Sequence, residues 1–230
     1  MAVAIVTGAS RGLGLALTRT LARRGFRLVI DARRGDELQS AARELGQLTE
    51  VIAIPGDVTD AWHREALVDA AGAPLDLLVN NASVLGPSPQ PALADYPLRE
   101  LERVYRVNVL APLALTQLAL PALRPGGAIV NVTSDAAIEP YEGWGGYGAG
   151  KAALEHLGAV LAIEFPAVTV WSVDPGDLRT AMHQAAFPSE DISDRPEPST
   201  VVPAFLELIG SDRPSGRIRA TEFLSTGTVA

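Results

Sequence analysis

Short β-branched runs alternate with helical patterns along almost the whole chain, and nothing else constrains its fold as strongly. Strands are expected at about 2–6, 27–31, 50–54, 75–79, 127–133 and 168–173, with a weaker one near 216–224. Helices are expected near 12–24, 36–45, 60–71, 98–123, 147–165 and 200–209. Strand then helix, repeated, implies a parallel sheet covered on both faces and built from right-handed crossovers, a doubly wound α/β fold. At 230 residues a single domain over 1–230 is the natural expectation. The Pro- and Gly-rich stretches at 86–91 and 187–198 read as internal loops, because the same pattern continues after each.

Composition narrows the function. A net charge of -8 argues against a nucleic-acid or anionic-membrane surface. There is no cysteine, so disulfides and thiolate metal sites are excluded. His63, His156 and His183 lack metal-ligand spacing, and they read as surface or hydrogen-bonded positions with no metal expected. The N-terminal apolar run meets Gly8 too soon for a signal-peptide core, and no run is long enough to span a bilayer. A cytoplasmic enzyme or binding protein is the expectation.

One lysine stands in a chain whose other eighteen Lys/Arg positions are all arginine, and that Lys151 lies four residues after Tyr147. An ammonium is a compact point charge on a flexible stem, whereas guanidinium is a planar fork. A site needing one cation beneath a phenol and beside ligand hydroxyls therefore accepts lysine and resists arginine. The i, i+4 spacing puts both side chains on one helix face. A free phenol titrates near 10, and a neighbouring cation favours its ionised form, so Lys151 is expected to lower the pKa of Tyr147. Ser134 follows the apolar run 128–133 and would present a hydroxyl at a strand end.

The first crossover carries Thr7-Gly8-Ala9-Ser10-Arg11-Gly12-Leu13-Gly14. Following a strand and opening a helix, it suits a phosphate site, since glycines admit close backbone approach and a helix N-terminus favours an anion. A tight turn without a ligand is the alternative.

These residues together carry a resemblance. Thr7-Gly8 with Gly12 and Gly14, Asn80-Asn81-Ala82, Asn108, Ser134, Tyr147 with Lys151, and Pro175-Gly176 resemble, in order and spacing, the single-domain short-chain dehydrogenase/reductases. The resemblance implies a seven-stranded Rossmann sheet binding NAD or NADP, and an oxidoreductase moving hydride between nicotinamide and a carbonyl or secondary alcohol. It implies Tyr147 as acid/base, Lys151 lowering its pKa and holding the nicotinamide ribose, Ser134 orienting the substrate oxygen, and Asn108 supporting a water in a proton relay. It further implies cofactor contacts from Gly8, Ser10, Arg11, Gly12, Leu13 and Gly14 in the glycine loop, from Asp57 and Val58 at the adenine, and from Asn80 and Ala82. Pro175, Gly176 and Thr180 would border the nicotinamide. Where the family has glycine after Asn80-Asn81-Ala82, this chain has Ser83, a departure expected to alter the loop without touching the chemistry. A homodimer or homotetramer is implied as well.

Cofactor choice turns on the end of the second strand, where an acid bonds a ribose 2'-hydroxyl and an arginine accommodates a 2'-phosphate. By the family register Ala32 fills the acid's position and Arg33 the arginine's, with Arg11 a second candidate. Asp31, one residue away, complicates this reading, which nevertheless favours NADP(H) over NAD(H). A substrate loop is expected at about 178–200. Tyr141, Trp144 and His183, with Phe187, Glu139 and Glu142, would line a site for a partly apolar, neutral or cationic carbonyl compound. Three alternatives stand beside the reductase: a non-catalytic NADP-binding regulator, a hydrolase using Ser10 in Gly8-x-Ser10-x-Gly12 with Asp174 and His183, and a phosphate-binding loop at Gly145–Lys151.

Overall fold

The computed structural model describes residues 1–222. Seven parallel strands form one sheet: β1 (Val3–Val6), β2 (Arg27–Ala32), β3 (Val51–Pro55), β4 (Leu75–Asn80), β5 (Leu123–Val132), β6 (Thr169–Asp174) and β7 (Gly216–Arg219), in the spatial order β3-β2-β1-β4-β5-β6-β7. The eight helices are α1 (Gly12–Arg23), α2 (Gly35–Leu45), α3 (Ala61–Ala71), α4 (Leu98–Tyr105), α5 (Ala111–Ala119), α6 (Gly145–Glu164), α7 (Ala181–Ala186) and α8 (Val202–Ile209) among the described residues. The expected strand near 216–224 is found over its first four residues, and positions 223–224 lie outside the described residues.

Both faces of the sheet are buried, because both alternating sets of strand side chains are apolar. In β1, Ala4 and Val6 join a core with Leu17 and Leu21 of α1, Leu38 and Leu45 of α2, and Phe205 of α8. Val3 and Ile5 point the other way, into a core with Leu67 of α3, Leu115 of α5 and Leu161 of α6. Side chains one residue apart thus serve opposite helical layers, and the doubly wound arrangement follows.

Two expectations are corrected. The single helix foreseen over 98–123 is three pieces, since a π-helical turn at Arg106–Leu110 separates α4 from α5, and β5 already begins at Leu123. A π turn adds a residue to the helical repeat and re-aims the side chains it carries, here including Asn108. Helix α7 was not foreseen: six residues are too few to show a period, and Thr180 starts it by accepting from the His183 amide at 3.1 Å.

Sheet order places the site. From β1 the chain moves outward through β2 and β3, then returns to the other side of β1 at β4. Loops from these two halves diverge at the C-terminal ends of β1 and β4 and leave a crevice there.

Candidate active site

The crevice is a cavity of about 760 Å³ lined from the ends of six strands. After β1 comes the glycine loop, and its glycines are sterically required. Gly8 has φ +66°, a left-handed conformation, and a Cβ on Gly14 would lie 2.4 Å from the Gly8 carbonyl oxygen. No side chain caps the start of α1, so its first amides face the cavity with the positive end of the helix dipole. Asn81 holds the loop from below, its Nδ2 donating to the carbonyls of Thr7 at 2.7 Å and Gly8 at 3.1 Å. Sequence reading stressed Asn80, but its amide donates to Asn131 at 2.9 Å and Thr116 at 3.3 Å, bracing the sheet, and it does not line the cavity.

At the end of β2, Arg33 is exposed on the cavity rim with Arg34, while Asp57 and Val58 line it from the end of β3. Asp31 takes no such position. It is 1% exposed, one oxygen accepts from the Gly8 amide at 2.8 Å, and the other lies 3.0 Å from His63 Nε2. Burial raises its pKa despite these partners, and the nearby Asp57 adds to the rise. The alternation that Asp31 threatened to break therefore holds, and His63 is a hydrogen-bonded interior residue. A different acid reaches this end: Glu37 in the first turn of α2 accepts from Arg34 at 2.6 Å and from Ser10 Oγ at 3.4 Å. Ser10 is thus tied to a carboxylate and His183 lies against Phe187, so the hydrolase triad is not assembled.

The reacting end is built by β4, β5, β6 and α6. Tyr147 is buried, with Lys151 one turn further along the same helix and only 2% exposed. Lys151 Nζ donates to the Val132 carbonyl at 2.7 Å and stands 5.6 Å from the centroid of the Tyr147 ring. Burial pushes the ammonium down to about 8, opposed by Glu155 one turn on. Its depth in α6 also excludes the phosphate-loop reading. For the phenol the expected direction is reversed: burial pushes Tyr147 well up, a hydrogen bond with Ser83 opposes the rise, and the carboxylates of Asp174 and Asp135 reinforce it. Loss of water around the ring outweighs the cation expected to depress it.

Ser134 lines the cavity, where its hydroxyl donates to Asp135 at 2.8 Å. Asn108 does not line it. Its carboxamide clips the loop after β4, donating to the Val84 carbonyl at 2.8 Å and accepting from the Val84 amide at 2.9 Å and the Ser83 hydroxyl at 3.1 Å. Pro175, Gly176 and Thr180 border the same end, and Gly176 N donates to Asp174 at 2.9 Å. Trp144 meets Tyr147 edge-on at 5.8 Å and tilts against Phe187 at 5.8 Å. Tyr141 is kept off the wall by its bond to Asp135 at 3.0 Å, and Glu139 and Glu142 do not line the cavity. Arg217 of β7 went unnoticed in the sequence. It donates to Glu155 at 3.1 Å, to Asp174 at 2.9 Å and to the Ser134 carbonyl at 3.3 Å, tying three parts of the site together.

The family profile described as short chain dehydrogenase matches residues 2–191. Benzil reductase ((S)-benzoin forming) of Saccharomyces cerevisiae is 35% identical over 217 residues, covering 89% of this chain and 80% of the relative. Sepiapterin reductase of Mus musculus is 38% identical over 202 residues, covering 80% of this chain and 77% of that one. Among solved structures, an alcohol dehydrogenase from Thermococcus sibiricus complexed with 5-hydroxy-NADP superposes with a TM-score of 0.85 at 29% identity, covering 95% of each chain. A short chain dehydrogenase from Shigella flexneri gives 0.86 at 29% identity, over 96% of this chain and 91% of the other.

Proposed function

Because this chain belongs to the short-chain dehydrogenase family, and so is an oxidoreductase acting on CH–OH and C=O groups with a nicotinamide cofactor, we propose that it is an NADPH-dependent carbonyl reductase with Tyr147 as its general acid. The observation that carries this reading is the buried phenol held in the cavity beside Ser134 and one helical turn before Lys151. A phenol with a raised pKa stays protonated at neutral pH and is ready to give its proton to an oxygen that gains charge. The cofactor supplies hydride to the carbonyl carbon. For Ser134 to donate to the developing alkoxide, its hydroxyl turns away from Asp135, so that Ser134 and Tyr147 bind the oxyanion together.

The residues fit the dinucleotide. Gly8, Ser10, Arg11, Gly12, Leu13 and Gly14 would hold the pyrophosphate, Asp57 and Val58 the adenine, Ala82 and Lys151 the nicotinamide ribose, and Pro175, Gly176 and Thr180 the nicotinamide. Arg33 and Arg11 favour a 2'-phosphate, and the neighbour bound to 5-hydroxy-NADP agrees. Glu37 favours a second reading, NADH, since its carboxylate reaches the same end and can accept from a ribose hydroxyl.

The substrate end is walled by Trp144, Leu85 and Met182, with Phe187 behind Trp144 and His183 beside it on the 178–200 loop. This suits a neutral carbonyl compound with an aromatic or apolar flank, in keeping with the names of the benzil and sepiapterin reductases. The same reading takes the protein as a cytoplasmic homodimer or homotetramer.

One experiment tests the proposal: titrate NADPH and NADH by fluorescence, then follow oxidation of the preferred nucleotide against aryl ketones and 1,2-diketones, with Tyr147→Phe in parallel. Tighter NADPH binding and a loss of at least about a hundredfold in kcat for Tyr147→Phe are expected. Binding without turnover across the panel would favour the non-catalytic regulator.

A further inference from the structure

The guanidinium of Arg217 stands behind the reacting end of the cavity, and each of its partners leads to a different part of the site. Its Nη2 donates to the Ser134 carbonyl at 3.3 Å and to Asp174 Oδ2 at 2.9 Å, and its Nε donates to Glu155 Oε1 at 3.1 Å. Ser134 lines the cavity, and its carbonyl also accepts from the Ala137 amide at 3.1 Å. Glu155 Oε1 accepts from Thr133 Oγ1 at 2.6 Å, so the end of β5 is held a second time through α6, the helix that carries Tyr147 and Lys151. Asp174 Oδ1 accepts from the Gly176 amide at 2.9 Å, which fixes the turn after β6. Asp174 is buried, whereas the Arg217 side chain keeps 24% of its surface and lines a second cavity of about 330 Å³ beside α6, β6 and β7.

We propose that Arg217 is a positioning residue for the reaction, a fork on the sheet edge that holds the Ser134 hydroxyl and the Pro175–Gly176 turn at one fixed spacing about the reacting carbon. This rests on the reading of Ser134 and Tyr147 as the pair that binds the developing oxyanion. Thr133 donates its amide to the Val173 carbonyl at 2.9 Å, and one residue further on Arg217 takes over the link between the ends of β5 and β6. Making all three bonds together needs donors on separate nitrogens held in one plane, which a guanidinium supplies. A lysine would bring the same charge on a single nitrogen and could not span them. Charge beside Asp174 is in any case supplied twice, since Arg219 Nε lies 3.6 Å from Asp174 Oδ2 and stays there when Arg217 is replaced. What a substitution removes is therefore the span between β5, α6 and β6, and a displacement of about 1 Å at a reacting group can cost about a hundredfold in rate.

The test is single-turnover reduction of an aryl ketone by bound NADPH in wild type, Arg217→Ala and Arg217→Lys, after thermal melts and NADPH titration. Arg217→Lys keeps a cation on β7 and so guards against a variant that fails to fold. Because the open side of Arg217 and the second cavity leave room for a small cation, the alanine variant is also assayed in tens of millimolar guanidinium chloride, far below the molar concentrations that unfold proteins, with sodium chloride as the control. Expected are rates about tenfold lower in both variants, with KM for the ketone and Kd for NADPH within about threefold because the glycine loop is untouched, and a several-fold recovery with guanidinium but none with sodium. Wild-type rates with only a lower melting temperature would make Arg217 a staple of the sheet edge and overturn the proposal. So would a lysine variant at full rate, which would leave charge as the sole requirement, or a slow alanine variant that guanidinium does not recover. A Tyr147→Phe variant that keeps full turnover would instead sink the underlying reading, whatever the Arg217 variants do.

Discussion

Lys151 shows what a single buried charge costs in stability. Its ammonium is held near 8 by burial, against about 10.4 for a free lysine, so the charged form costs the folded chain about 3 kcal/mol at neutral pH. Between these two values the unfolded chain binds a proton that the folded one does not, so stability rises with pH across that window and the penalty is fully present below pH 8. We predict that wild type gains about 2 kcal/mol relative to Lys151→Met between pH 7 and pH 9.5, read from urea midpoints at the two pH values. A difference that stays flat, or falls, would mean that the ammonium is solvated. Asp31 makes the complementary point, because its charge is spent inside the protein on Gly8 and His63 and is not offered to a ligand.

At the scale of elements, the glycine loop, β4 and β7 each carry a geometric condition on the site. The loop passes close enough to α1 that a methyl at position 14 would meet both the Gly8 carbonyl and the Asn81 amide, at 2.4 and 2.5 Å. Gly14→Ala should therefore destabilise the fold by about 1–3 kcal/mol and weaken dinucleotide binding at least tenfold, measured by melting and by nucleotide fluorescence. Relief by shifting Asn81 would in turn release Thr7 and Gly8, so the loop cannot yield locally. Strand β7 acts at a distance through Arg217, whose cation partly neutralises Glu155 and Asp174 while holding the Ser134 carbonyl. Part of the active-site geometry is thus held from the edge of the sheet.

For the whole molecule, six strand ends converge on one crevice, so a ligand there touches loops that are distant in sequence. A nucleotide that binds only the folded form stabilises it by about 2.7 kcal/mol at a hundred times its Kd. NADPH should accordingly raise the melting temperature by several degrees, more than NADH at equal concentration, and Arg33→Glu should narrow or reverse that difference. A larger shift with NADH in the wild type would transfer the specificity to Glu37.

The succession of the seven strands, the two buried faces of the sheet and the glycine loop were legible in the sequence, because periodicity and turn chemistry are local properties of the chain. That Tyr147, Lys151 and Ser134 line one cavity was consistent with their spacing and the solitude of one lysine. Three things waited on the tertiary structure. The phenol's pKa runs upward because desolvation depends on everything packed around it. Asp31 turns inward because His63, thirty-two residues away, meets it there. Asn80 and Asn81 divide their labour, one bracing the sheet and the other the glycine loop, because neighbours at a strand end face opposite ways. Arg217 left no periodic or spacing signal, since its role lies in partners brought close only by the folded sheet. What recurs along the chain could be read from it; what depends on burial and on contacts between distant residues could not.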